Sequence, residues 1–142
     1  MKAKEYLSQA LRLKRRYQNA LEELEYIRNM ASGVTAIRYD KDQIQSSPRN
    51  DQMALYMVRL ESAENRALRL SEEYFSKYEQ IRMYIDMMSP QLYADVLYLR
   101  YIQGEKLWQI ADELQYDYDY IRSVHGKALH EFGECFPEAL KE

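Results

Sequence analysis

The side chains in this chain with reactive chemistry to offer are two histidines, one cysteine and many carboxylates, and their spacing argues against catalysis. His125 and His130 are five residues apart on one predicted helix, so they face different sides. No acid or cysteine stands at ligand spacing beside them, and no metal site is expected. Cys135 is the only thiol. It excludes an internal disulfide, fits a reducing compartment, and reads as a packing residue rather than a nucleophile. No glycine-rich phosphate loop, zinc spacing, or Ser or Cys paired with a placed His appears. The carboxylates fall on outer helical positions, where acids are ordinary solvated groups. No enzyme activity and no cofactor are therefore expected. What remains is non-covalent recognition.

Residues 96–132 are patterned for it. Ile110, Ala111 and Leu114 make the stripe of a short helix, Tyr116-Asp117 interrupts, and Ile121, Val124, Ala128, Leu129 and Phe132 restart it on a longer one. Asp117 stands where an N-cap carboxylate could accept from the backbone two or three residues on. A short helix, a tight turn and a second helix is the layout that places the second helix in the major groove of DNA. A preceding helix over about 90–102, capped by Ser89-Pro90 and ended by Gly104, buries Leu92, Val96, Leu99 and Ile102. Helices over about 106–115 and 118–133 complete a trihelical domain spanning 89–134. Trp108 reads as a partly buried anchor against the first of the three, His125 as a possible groove contact, and His130 as surface. The tail, 135–142, is expected to fray.

The preceding residues read as machinery that holds or pairs this domain. Ala3, Tyr6, Ala10, Leu13, Tyr17, Ala20, Leu24, Ile27 and Ala31 alternate steps of three and four, a heptad seam over 3–31. Ser32-Gly33 should end that helix, with Gly33 as a left-handed cap. Residues 34–50 have no period and read as a long connection. Capped by Asn50 or Asp51, a second long helix over 51–88 carries Met53, Tyr56, Leu60, Ala63, Ala67, Leu70 and Tyr74, then after one stutter Tyr78, Ile81, Ile85 and Met88. The expectation is an all-α chain: a long antiparallel coiled-coil helical hairpin over 1–88, then the helix-turn-helix domain. Since each hairpin helix buries one stripe, self-association as a homodimer is expected to cover the remainder.

The 142 residues suffice for one domain or a small domain with a helical extension, and only four glycines and three prolines punctuate them. No apolar run approaches a membrane span and no signal core opens the chain, so the expected location is cytoplasmic. The net charge of −3 is unevenly spread. Residues 1–31 carry seven Lys/Arg against four acids, with Arg12, Lys14, Arg15 and Arg16 together. Residues 89–142 carry five against ten. The expected DNA-reading end is thus the acidic one, although phosphate neutralisation supplies most non-specific affinity.

The runs VLYLRYIQG, LWQIADELQYD and YIRSVHGKALHEF resemble the fourth conserved region of sigma-70-family factors, which binds the promoter −35 element. With the helical N-terminal half and Gln45-Ser46-Ser47, the chain resembles small prophage-encoded sigma-like regulators of the ArpU and RinA type. That resemblance implies groove-facing positions at Tyr118, Asp119, Tyr120, Arg122 and Ser123, with Lys127 towards the backbone. Arg122 could read guanine, Ser123 a base or phosphate, Asp119 cytosine N4, and the two tyrosines phosphates or a thymine methyl. Two departures stand out: Arg122 alone remains of the two or three arginines usual there, and Gln115 replaces the usual turn glycine. The implied function is a DNA-binding transcriptional regulator of phage or prophage genes, acting at a promoter or operator, with RNA polymerase as a further implied partner. Without segments for the −10 element or the polymerase core, it should not replace a full sigma factor. A small-terminase-like DNA-packaging subunit and a protein–protein adaptor are the alternatives.

Overall fold

The computed structural model describes residues 1–40 and 47–141, and every element these residues form is helical. In order they are α1 (Ala3–Leu7), α2 (Gln9–Asp40), α3 (Ser47–Asp86), α4 (Gln91–Leu97), a π-helical turn (Tyr98–Ile102), α5 (Leu107–Leu114), α6 (Tyr118–Cys135) and a 3-10 turn (Ala139–Lys141). Leu, Glu, Arg, Lys, Gln and Met favour this outcome over sheet. Among the described residues, no helix is long and apolar enough to cross a membrane.

Helix α2 runs through Ser32-Gly33 to Asp40 instead of stopping there. Gly33 does not take up a left-handed conformation, and a single glycine within a helix costs only about 1 kcal/mol. Similarly, α3 begins at Ser47, ahead of the expected caps, with Pro48 in a first turn that needs no amide hydrogen from it. The expected connection over 34–50 is thereby narrowed. Its centre, including Gln45 and Ser46, lies outside the described residues.

The chain divides into two compact units, 14–73 and 1–13 with 74–142. Tyr6 and Leu7 on α1, Ala10 at the start of α2, Ile81 and Ile85 at the end of α3 and Met88 just beyond it pack with Ala128 and Phe132 in one core.

In the 14–73 unit, Ala20 and Leu24 pack with Ala63, Ala67 and Leu70, and Tyr17, Ile27 and Leu60 close the seam. Glu23 meets Arg66 at 2.7 Å and Arg28 meets Glu64 at 3.8 Å. As position rises in α2 it falls in α3. Both pairs are about half exposed, so each adds at most a fraction of a kcal/mol, roughly 0–1. Burial of the apolar seam is the main stabilising term here.

The other unit has two cores. The first joins α1, the start of α2, the end of α3, α4, the π turn and the last turns of α6 around Tyr6 and Phe132, whose rings lie 5.9 Å apart. The second, formed by Val96, Ile110, Ala111, Ile121 and Val124, fixes α5 and α6. Pro90 rather than Ser89 occupies the N-cap position of α4, with no side-chain cap bond, and the expected single helix over 90–102 becomes α4 followed by the π turn. There Gln103 N–H donates to Tyr98 O at 3.2 Å, five residues back. Gly104 then reverses the chain at φ +74 with Leu11 at 3.5 Å from where a Cβ would stand. Among the described residues, the tail is packed instead of frayed. Phe136 and Ala139 are buried, the Phe136 ring lies 4.9 Å from that of Tyr84, and the N-terminal ammonium donates to Leu140 O at 3.1 Å.

Candidate nucleic-acid interface

Two helices and the turn between them set the geometry. Ile110 and Ala111 bury one face of α5, and Tyr116 N–H donates to Ala111 O at 2.9 Å to close its end. This closure puts Gln115 in the left-handed region, φ 61 and ψ 48, a conformation that ordinarily favours glycine. The turn is therefore made despite the missing glycine, at a local cost. Asp117 occupies the N-cap position of α6 with extended backbone, but its carboxylate makes no capping hydrogen bond. Ile121, Val124, Ala128 and Phe132 are buried and fix the rotation of α6 about its axis.

That rotation leaves Tyr118, Asp119, Tyr120, Arg122, Ser123 and Lys127 all exposed. Helical spacing sorts them into two flanks. Along one, Tyr118, Arg122 and His125 follow each other, with the Arg122 guanidinium 5.9 Å from the Tyr118 ring centre. Along the other come Tyr120, Ser123 and Lys127, with Tyr116 beside Tyr120 at 5.1 Å between ring centres. Chemically, the face offers hydroxyls, one guanidinium, one ammonium and aromatic edges. Asp117 and Asp119 oppose an approaching phosphate.

Trp108 is 55% exposed and does not anchor α5. The apolar stripe already pointed to this: Leu107, Ile110, Ala111 and Leu114 lie on one side of α5, and Trp108 falls off it. With Tyr116, which the sequence reading placed only in the turn, it adds two exposed aromatics.

His125 is half-buried rather than free on the groove face. Its Nε2 lies 2.7 Å from the Tyr101 hydroxyl and the two rings stack at 5.7 Å. Burial holds the imidazole below its ordinary pKa, and the nearby positive charges of Arg100 and Lys4 add to this. Burial also pushes the Tyr101 hydroxyl up to about 12, against the Arg100 charge. His130 is exposed beside Glu134 at 3.8 Å. The Cys135 thiol donates to Glu131 Oε1 at 3.2 Å, and that bond raises its pKa, so the thiolate is disfavoured. Among the described residues, no group of three or more His, Cys, Asp or Glu is placed to hold a metal ion.

An open groove of about 410 Å³ in the same unit has Asp86, Asp95 and Glu113 on its walls over Ile85, Leu99 and Leu114. Close by, Glu113 raises the pKa of the Glu105 carboxyl, because a proton held on one of the two lets it donate to the other. No family model, curated protein or solved structure matches the chain.

Proposed function

We propose that this chain is a DNA-binding transcriptional regulator of the sigma-like, phage-encoded kind, with α5 and α6 as a helix-turn-helix and α6 entering the major groove. One observation carries the reading. A buried stripe fixes α6 while its first turns present Tyr118, Asp119, Tyr120, Arg122 and Ser123, with Lys127 one turn on, to solvent together. Helix-turn-helix recognition depends on such an arrangement, with base-reading groups at the start of the second helix and phosphate contacts further along. In this reading Arg122 leaves the Tyr118 ring to bond guanine, and Lys127 meets a phosphate. The helices of the 14–73 unit act as an antiparallel hairpin that pairs two copies of the chain or meets RNA polymerase.

The test is selection of bound sequences from a random duplex pool by the purified chain, with its mass measured in solution. Enrichment of a site, lost in Arg122→Ala while the fold persists, supports the reading. An unenriched pool at low salt sinks it.

A second reading has its own support. The exposed rings of Trp108, Tyr116, Tyr118 and Tyr120 lie among Asp112, Asp117 and Asp119, and tyrosine and tryptophan are enriched at protein interfaces. An adaptor docking on a basic protein surface would use these groups. For that reading, Arg122→Ala and Lys127→Ala leave function intact.

A further inference from the structure

A helix lying in the major groove has a phosphate backbone on either side, and orienting it calls for positive charge on both flanks. In α6, Lys127 serves the flank that includes Ser123 and Tyr120. The opposite flank, Tyr118–Arg122–His125, carries Arg122, whose proposed partner is a base. Within α6 that side has no cation for the backbone.

The tertiary structure supplies cations there from two distant stretches. Arg100, on the π turn, has its guanidinium 5.9 Å from the Tyr101 ring, and Tyr101 in turn bonds His125 on this flank. One Arg100 nitrogen donates to Glu105 O at 3.1 Å, which uses a single donor of the five and steadies the group. Lys4 comes from the other end of the sequence. Helix α1 packs on α6 through Tyr6 against Phe132, and the N-terminal ammonium is tied to Leu140 O. Lys4 is exposed and has no ion pair among the described residues; it stands one helical turn before Leu7, which is buried in one core with Tyr101 and Ala128, and its charge helps hold the His125 pKa down. The charge census by sequence segment hides this. Residues 1–13, which belong to the same compact unit as α6, carry Lys2, Lys4 and Arg12 against Glu5 alone.

We propose that Lys4 and Arg100, flanking the Tyr101–His125 pair, form a binding site for a DNA backbone phosphate on the side of α6 opposite Lys127. The inference rests on the DNA-binding reading. It adds that the N-terminal helix is part of the DNA-binding surface and partly offsets the acidic C-terminal segment. Lys4 acts as a point charge, and Arg100 offers its remaining guanidinium hydrogens to the phosphate oxygens.

The experiment measures affinity of the full chain for a short random-sequence duplex by fluorescence anisotropy between about 50 and 200 mM salt. Wild type is compared with Lys4→Gln, Arg100→Gln, Lys4→Arg and Lys127→Gln, each checked for an unchanged helical spectrum. Loss of one phosphate contact should make the slope of log affinity against log salt shallower by about 0.9. Lys4→Gln and Lys127→Gln should each do this, and Lys4→Arg should restore the wild-type slope. Lys4 is exposed, so its variant remains a clean test even if Arg100→Gln disturbs the turn. If Lys127→Gln flattens the slope and Lys4→Gln leaves it unchanged, the proposed site is wrong while the DNA reading stands. Absence of any salt-dependent binding by wild type overturns both.

Discussion

The Tyr101 hydroxyl and His125 Nε2 lie 2.7 Å apart and tie the π turn to the middle of α6. While the imidazole is neutral, Nε2 can accept from the tyrosine, whose proton is held to about pH 12. A protonated ring would have to reverse that bond in a half-buried site beside Arg100 and Lys4. The residue facing the proposed DNA flank is thus also a structural joint.

This joint should make stability depend on pH. His125 is depressed in the folded chain, so the unfolded chain binds its proton more readily. Its contribution is complete above the ordinary histidine value of about 6.5 and is lost as pH falls below it towards the folded pKa. Urea unfolding of wild type and His125→Gln across this range checks the sign. The difference between the two should shrink as pH falls, and a difference that grows would contradict the assignment.

Tyr101→Phe should cost about 1–3 kcal/mol, because it leaves a half-buried imidazole nitrogen without its partner. Chemical denaturation at neutral pH measures this directly. An unchanged midpoint would mean that water replaces the hydroxyl.

At the turn, Gln115→Gly should stabilise the chain by about 1 kcal/mol, since a side chain at φ 61 carries a steric cost that glycine avoids. The expected readout is a raised melting temperature. A lowered one would show that the Gln115 side chain makes contacts outweighing the strain.

Phe136→Ala should destabilise by about 3 kcal/mol or more, the usual loss for a buried aromatic. Trp108→Ala should stay within about 0.5 kcal/mol, because the ring is mostly solvated. Paired thermal melts of the two variants check both. A severe loss from Trp108→Ala would return that residue to the anchoring role its position first suggested.

Periodicity carried the helical class and most of the buried positions, but not Ala94, Leu97, Tyr101, Phe136 or Ala139. Each heptad residue from Ala3 to Ala31, and from Met53 to Met88, is buried or half-buried, because the spacing of apolar residues along a helix is itself the face it must hide. The rotation of α6 was legible for the same reason: Ile121, Val124, Ala128 and Phe132 define its inside, and hence which six candidate residues face out. Helix ends were less legible. Gly33 and Ser89 carry the residue types of caps, yet a cap residue is a preference of a few tenths to 2 kcal/mol that neighbouring packing easily overrides, whereas Asp117 holds its expected N-cap position without the side-chain bond. The tail was misread because CFPEALKE has no period of its own, and the order of Phe136 and Ala139 comes from Tyr84 and the other partners in their core. What only the tertiary structure decided is which distant segments share a surface. Helix α1, which carries Lys4, reaches α6 because Tyr6 and Leu7 find their core against Ala128 and Phe132, more than 120 positions away. No local pattern records that contact, since it depends on where the chain returns.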